Sequence, residues 1–137
     1  MKEKIFVDTN ILIYAHDKKS PQKREIASRL LESLWDMEEK PYISVQVLQE
    51  FFVNISRFLT YDEVSELMEI YKNWNVIDNS LSVFEKAVLI YRKHKLSFWD
   101  SLIVSAAVMS GSKILFTEDL SHGQKIESVK IINPFME

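Results

Sequence analysis

The chain has 137 residues, of which 47% are hydrophobic and 27% charged, which is the size and composition of one globular domain. Twenty acidic residues face seventeen basic ones, and the net charge of −3 excludes a protein that holds nucleic acid through bulk positive charge alone. The lack of cysteine excludes disulfide frameworks, thiolate zinc sites and cysteine nucleophiles. With two glycines and three prolines, the chain also falls outside the collagen-like and disordered classes.

The sequence contains no segment that we interpret as a targeting signal or a membrane span. The apolar run near the start, Ile5–Val7, is too short for the hydrophobic region of a signal peptide. The longest apolar stretch, Leu102–Met109, is interrupted by Ser105 and is too short to cross a bilayer. We therefore expect a cytoplasmic protein without membrane contact. Because no repeat or linker interrupts the chain, we expect a single domain over residues 1–137.

The first part of the chain is predicted to begin with a buried strand, since the consecutive apolar residues Ile5–Val7 are typical of a strand covered on both faces. Ser20 followed by Pro21 predicts the start of a long helix. Thr60 and Glu63 have the spacing of a capping box. The elements predicted up to residue 77 are, in chain order, a strand over 4–8, helices over 11–16 and 21–38, a strand over 41–44, helices over 45–58 and 61–72, and a strand over 74–77.

In the remainder of the chain, Ser82 and Glu85 predict the cap of a helix whose basic end suits the helix dipole. Ser97 begins another helix, and Gly111 ends it. The elements predicted here are helices over 82–95 and 97–110 and strands over 113–116 and 130–132. Short apolar strands that alternate with helices imply right-handed crossovers and a parallel α/β sheet.

Two predicted strands lead directly into acidic residues. Asp8 follows Ile5–Val7, and Asp119 follows the strand that ends at Phe116. Ligands bind beyond the carboxyl ends of the strands in parallel sheets, so both acids are candidates for a functional site. Either acid would also suit an Asx turn or a helix cap, and the local sequence leaves both interpretations open.

Two further acids lie on predicted helices. Asp100 is in the first turn of a helix that is apolar nearly all round, where a carboxylate needs a partner. That partner is either the capping box formed with Ser97 or a cation. Glu50 forms a polar stripe with Gln46 and Asn54, and this stripe fits either a solvated helix face or the lining of a cleft.

Common catalytic and nucleotide-binding motifs are absent from the sequence. The three histidines lack the spacing of a metal site, and neither the phosphate-binding glycine motifs nor GxSxG occurs. We interpret Trp35, Trp74 and Trp99 as core residues rather than platforms on which bases stack.

Taken together, these segments resemble the PIN-domain family. Val7-Asp8-Thr9-Asn10-Ile11-Leu12-Ile13-Tyr14-Ala15 is similar to the family's opening motif, and Ile132-Asn133-Pro134-Phe135 is similar to its closing segment. Between them, Glu50, Asp100 and Asp119 follow in the family's order. The resemblance covers the whole chain, and the length is similar to that of VapC-type toxins of toxin–antitoxin pairs.

The resemblance implies a three-layer α/β/α fold around a parallel sheet of four to five strands in the order 3-2-1-4-5. The first and fourth strands are neighbours in that order, which implies that Asp8 and Asp119 lie side by side. The acidic metal site carried over from the family consists of Asp8, Glu50, Asp100 and Asp119. Asn10 and Thr117 carry over as supporting hydrogen-bonding residues, and Glu118 is the alternative to Asp119 as the fourth acid.

Oxygen ligands without cysteine or histidine select Mg²⁺ or Mn²⁺. A divalent cation relieves the repulsion between the carboxylates, and it can neutralise a phosphodiester and activate a water molecule. The resemblance thus implies a metal-dependent endoribonuclease that hydrolyses RNA, with a small antitoxin as partner and a homodimer as its assembly. The basic residues that are candidates for phosphate contacts are Lys18, Lys19, Lys23, Arg24, Arg92, Lys93 and Lys95.

Two other functions fit parts of the same pattern. One is a PIN-like module that binds RNA or protein without catalysis, and the presence of all four acids argues against it. The other is a phosphatase that works through an aspartyl-phosphate. Such enzymes of the haloacid-dehalogenase type open with Asp-x-Asp, whereas this chain has Asp8-Thr9-Asn10, so the missing second aspartate argues against that class.

Overall fold

A computed structural model describes residues 3–136 of the chain. Its helices and strands are, in chain order, β1 (Ile5–Val7), α1 (Thr9–His16), α2 (Pro21–Trp35), β2 (Tyr42–Ser44), α3 (Val45–Ile55), α4 (Tyr61–Tyr71), β3 (Asn75–Ile77), α5 (Leu81–His94), α6 (Phe98–Met109), β4 (Ile114–Phe116), β5 (Lys125–Ile126) and β6 (Val129–Ile132). Within residues 3–136, none of the helices has both the length and the apolar character that crossing a membrane requires.

The strands form one sheet in the order β3-β2-β1-β4-β6-β5. The first five strands of this order are parallel to their neighbours, so the predicted α/β fold and its order 3-2-1-4-5 are confirmed, with β6 as the fifth strand. In the centre of the sheet, Val7 of β1 lies opposite Phe116 of β4. This register brings the carboxyl ends of β1 and β4 together.

The sheet has one strand more than the four to five that were predicted, because β5 pairs with β6 in an antiparallel hairpin at the sheet edge. β5 is only two residues long, which is too short to produce a periodic hydrophobic pattern. Glu127 in the turn adopts a left-handed conformation with φ of 55°. The complete sheet is therefore mixed rather than purely parallel.

The core covers both faces of the sheet. Successive side chains of a strand point to opposite faces, and Phe6 and Val7 of β1 are both fully buried, as is Leu115 of β4. The helices that cover these faces form two groups. Helix α1 packs against α2 and α3, and α3 packs against α4, while α5 packs along α6, which in turn contacts β2, β4 and β6.

The helix termini follow the predicted capping chemistry with one shift. The capping box is confirmed at α4, where the Thr60 hydroxyl accepts a hydrogen bond from the Glu63 N–H and the Glu63 carboxylate accepts one from the Thr60 N–H. The predicted cap of α5 at Ser82 is wrong, because Ser80 is the residue whose hydroxyl accepts the hydrogen bond of the Val83 N–H. Ser80 and Ser82 both lie at the start of the apolar residues of α5, so the sequence alone does not show which of them is the cap.

Only one of the three tryptophans is a core residue. Trp74 is 4% exposed, but Trp35 is 36% exposed and Trp99 is 64% exposed, so the core interpretation is wrong for these two. Trp35 is the last residue of α2, where the helix ends. Trp99 lies on α6, whose apolar residues surround the whole helix, so its periodicity contains no signal that distinguishes an inward from an outward side chain.

Candidate active site

Asp8 lies immediately beyond the end of β1 and caps α1. Its Oδ1 accepts a hydrogen bond from the Thr9 N–H at 2.7 Å, and its Oδ2 accepts one from the Thr117 hydroxyl at 2.7 Å. The side chain is 4% exposed. The pKa of Asp8 is raised to about 7, mainly by burial and to a smaller extent by the charges of Asp119 and Glu50, while these two hydrogen bonds act to lower it. Asp8 is thus a helix cap, and it is also a buried carboxyl close to other acids.

Thr117 and Asn10 connect Asp8 with Asp119. The fully buried Thr117 follows β4, and its Oγ1 accepts a hydrogen bond from the Asp119 N–H at 3.1 Å while its hydroxyl donates to Asp8. The Asn10 amide, in the first turn of α1, donates to Asp119 Oδ2 at 3.0 Å. The two residues that the resemblance suggests as supporting groups therefore lie between the acids at the ends of β1 and β4.

Glu50 is tied to the same region from α3. Its Oε1 accepts a hydrogen bond from the Thr9 hydroxyl at 2.7 Å, and its Oε2 accepts one from the Gln46 amide at 3.1 Å. Gln46 is buried, so the stripe of polar residues on α3 lines the interior of the molecule here rather than a solvated face. Asn54, the third member of that stripe, instead donates to the Glu50 backbone carbonyl of its own helix.

Asp100 enters the region from the first turn of α6. The Ser97 hydroxyl accepts the hydrogen bond of the Asp100 N–H at 3.1 Å, but within residues 3–136 the Asp100 carboxylate returns none to Ser97. Burial raises the pKa of Asp119, and the charge of Asp100 is the next largest cause. The Asp100 carboxylate is therefore close enough to Asp119 for the two charges to repel each other. Of the two interpretations left open for Asp100, the capping box with Ser97 forms only by half.

Glu118, the alternative fourth acid, has other partners. Its Oε1 accepts a hydrogen bond from the Tyr14 hydroxyl at 2.8 Å, and its Oε2 forms an ion pair with the Lys23 ammonium. Lys23 is therefore engaged within the chain and is not a free cation available for phosphate. Asp119 is the acid of this pair whose carboxylate interacts with the other candidates.

The structure places Asp8, Glu50, Asp100 and Asp119 in one region, with Thr9 and Gln46 as two contacts that sequence reasoning missed. Thr9 is adjacent to Asp8, and Gln46 is one helical turn before Glu50; only these positions could have suggested a role. In the described part of the chain, no three acidic or histidine side chains are grouped closely enough to hold a metal ion as they lie. The candidate ligand atoms are nevertheless all carboxylate oxygens, and their charges repel one another. Both properties suit the binding of a hard divalent cation.

Comparison with solved structures identifies the same fold in proteins of toxin–antitoxin systems. A toxin–antitoxin complex from Klebsiella pneumoniae has 22% identity over 96% of this chain and 98% of its own, with a TM-score of 0.72. VapC20 from Mycobacterium tuberculosis, a toxin that cleaves the sarcin-ricin loop, has 20% identity over 85% of this chain and 92% of its own, with a TM-score of 0.66. DNA-bound VapBC from Salmonella typhimurium has 18% identity over 95% of this chain and 97% of its own, with a TM-score of 0.65.

At sequence identities of 18–22%, these similarities show a shared fold and nothing more. No curated protein sequence matches the chain. The family model for the PIN domain, however, matches residues 5–125, a range that includes all four acids, Asn10 and Thr117. This chain belongs to the PIN domain family.

Proposed function

We propose that this protein is a divalent-metal-dependent endoribonuclease and that it is the toxin of a toxin–antitoxin pair. The observation that carries the proposal is that Glu50 of α3 and Asp100 of α6 meet Asp8 and Asp119 near the carboxyl ends of β1 and β4, where Asp8 is buried and has a pKa raised to about 7. Perturbed carboxyl groups at this position of an α/β sheet are typical of an active site. The similarity to VapC20, which cleaves the sarcin-ricin loop, favours RNA as the substrate.

In this proposal, Asp8 and Asp100 would be the core ligands of one Mg²⁺ or Mn²⁺ ion, and Asp119 would complete the site directly or through a water. Glu50 would hold a second ion or orient the attacking water. When bound, the metal neutralises the phosphodiester and lowers the pKa of water. Thr117 orients Asp8 through its hydroxyl and Asp119 through its accepting oxygen.

Glu50 is the residue best placed to act on a water molecule. Thr9 and Gln46 each occupy one of its carboxylate oxygens with a hydrogen bond, which fixes the plane of the carboxylate. Each carboxylate oxygen accepts about two hydrogen bonds, so one acceptor position on each oxygen is left for water or metal. Glu50 can therefore orient a nucleophile without losing the contacts that hold it.

The experiment that tests the nuclease is cleavage of RNA by Asp100→Asn in Mn²⁺, compared with the wild type and with Glu66→Gln. Glu66 is exposed on α4 and provides the same loss of one negative charge away from the site. We expect Asp100→Asn to lose at least about 100-fold in cleavage while it remains folded, and Glu66→Gln to cleave like the wild type. Full cleavage by Asp100→Asn would contradict the proposal, and hydrolysis of a phosphomonoester without RNA cleavage would favour the phosphatase.

We propose that the antitoxin binds in an apolar hollow between α1, α2 and α4. The hollow has a volume of about 230 Å³ and includes Trp35, Tyr71 and Trp74 in its lining. Trp35 is partly exposed there, and the buried indole N–H of Trp74 has no acceptor within residues 3–136. A partner peptide could cover the exposed part of Trp35 with an apolar side chain and accept the Trp74 N–H hydrogen bond with a nearby carbonyl.

This partner proposal is tested by co-purification with the product of a short gene immediately upstream. We expect Trp35→Ala to weaken co-purification and to leave cleavage by the isolated protein intact, with exposed Tyr61→Ala as the control. Equal capture by Trp35→Ala and the wild type would contradict the proposed location. The resemblance also implies a homodimer, and light scattering of the purified protein tests this.

RNA as substrate and an antitoxin as partner are consistent with the proposed cytoplasmic location of the protein.

A further inference from the structure

Glu118 lies in the chain between two site residues, but its side chain belongs to a separate cluster. The Tyr14 hydroxyl donates to Glu118 Oε1 at 2.8 Å, and the Lys23 ammonium pairs with Glu118 Oε2. Lys23 also donates to the Tyr14 hydroxyl oxygen at 3.3 Å, which closes a ring of three hydrogen bonds. We call Tyr14, Lys23, Glu118 and Phe135 the Glu118 anchor.

Two aromatic rings lie against the ammonium of this ion pair. The Lys23 ammonium lies 4.7 Å from the ring centre of Tyr14 and 5.3 Å from that of Phe135. The two rings meet edge to face at 5.1 Å. The Lys23 and Glu118 side chains are 38% and 25% exposed, so the pair is held more firmly than a fully solvated one. The anchor thus joins α1, α2, the segment after β4 and the segment after β6.

The Glu118 anchor is connected to Asp119 through α1. The Glu118 N–H donates to Asn10 Oδ1 at 3.2 Å, and the Asn10 amide donates to Asp119 Oδ2 at 3.0 Å. Asn10 and Tyr14 are one helical turn apart, on the same side of α1. The segment that carries Asp119 is therefore fixed to α1 at two points, one through the Glu118 backbone and one through its side chain.

We infer that Lys23 and Tyr14 are positioning residues for Asp119. The inference rests on the proposed function. Glu118 is the neighbouring carboxylate, and its only cationic partner in residues 3–136 is Lys23. If this pair is broken, the segment that carries Asp119 loses its side-chain attachment to α2.

The test compares Lys23→Met and Glu118→Gln with the charge-swapped variant Lys23→Glu/Glu118→Lys. Arg29→Met is the matched control, because it breaks an exposed ion pair with Glu25 on the same helix α2. Mn²⁺ affinity is measured by calorimetry, RNA cleavage is resolved into kcat and KM, and thermal melting reports the folded fraction. Tyr14→Phe, which removes only the hydroxyl and keeps the ring under the ammonium, extends the series if a charge variant fails to fold.

We expect Lys23→Met and Glu118→Gln each to weaken Mn²⁺ binding and to lower kcat, in both cases by about 10-fold, with KM within about twofold of the wild type. The charge-swapped variant is expected to recover most of both losses, and Arg29→Met to match the wild type. Wild-type Mn²⁺ affinity in Lys23→Met and Tyr14→Phe overturns the inference while the nuclease stands. A wild type that neither binds Mn²⁺ nor cleaves RNA overturns the proposed function, and this inference with it.

Discussion

Burial raises the pKa of the Asp8 carboxyl from 3.8 to about 7, so between these pH values the folded chain holds a proton that the unfolded chain has released. The unfolded state then binds fewer protons, and the free energy of unfolding falls as the pH rises from about 4 to 7. Above pH 7, the folded protein carries the full cost of a buried carboxylate. A carboxylate binds a metal in its ionised form, so Asp8 lowers the free energy of unfolding in the pH range where it could act as a ligand.

Asp8→Asn is therefore expected to stabilise the metal-free protein. At pH 8 in a chelator, its free energy of unfolding should exceed that of the wild type by roughly 1–3 kcal/mol, and the difference should shrink toward pH 4. Denaturant unfolding at several pH values measures this, with Glu66→Gln as the control for a lost surface charge. A less stable Asp8→Asn at pH 8 would mean that its hydrogen bonds with Thr9 and Thr117 outweigh the cost of burial.

The sequence placed Gln46 in a polar stripe with Glu50, but it did not identify its contact with the Glu50 carboxylate, since the stripe also fits a solvated helix face. Its amide donates to Glu50 Oε2 at 3.1 Å and to the Trp99 carbonyl at 3.4 Å. Gln46→Leu should lower cleavage by about 10-fold because the Glu50 carboxylate loses one of its two orienting contacts. Gln49→Leu, on the exposed side of the same helix, should cleave like the wild type, and equal activity of both variants would argue against a role for Gln46.

At the scale of secondary structure, the elements that could be predicted are those with a local signal. The apolar run of β1 and the capping box at Thr60 each depend on neighbouring residues, and both were predicted correctly. The two-residue strand β5 has no such signal, and the outward orientation of Trp99 depends on the packing of α6 against other elements. The strand order came from the family resemblance, because chain order alone does not say which parallel strands are neighbours.

The capping box gives a prediction for the stability of α4. Thr60→Ala removes the acceptor of the Glu63 N–H, and we expect it to lower the free energy of unfolding by about 1 kcal/mol. Ser65→Ala, in the middle of the same helix, should be neutral or slightly stabilising, because alanine is the better helix former. Chemical denaturation measures both. Equal stability of Thr60→Ala and the wild type would show that the end of α4 is held by its packing alone.

For the whole molecule, the acidic balance depends on the candidate site. Of the twenty acidic residues, Asp8, Glu50, Asp100 and Asp119 are the proposed ligands; sixteen acids then remain against seventeen basic residues, a net charge of +1 outside the site. One divalent ion would change the total from −3 to −1. The region where the scissile phosphate would bind is thus the place where negative charge is concentrated in the metal-free protein, and nearby charges act most strongly there.

RNA affinity should therefore require the metal as much as cleavage does. With an RNA analogue whose bridging 3′ oxygens are replaced by methylene groups, so that no P–O3′ bond can be hydrolysed, we expect chelation to weaken binding at least about 10-fold at constant ionic strength, and Mg²⁺ or Mn²⁺ to restore it. Asp100→Asn removes one repulsive charge, so its metal-free form should bind this RNA more tightly than the metal-free wild type. Glu66→Gln, which changes the net charge equally but away from the site, should not. If chelation leaves the RNA affinity unchanged, the RNA binds away from the four acids, because a phosphate bound among them would be repelled once the metal ion is removed.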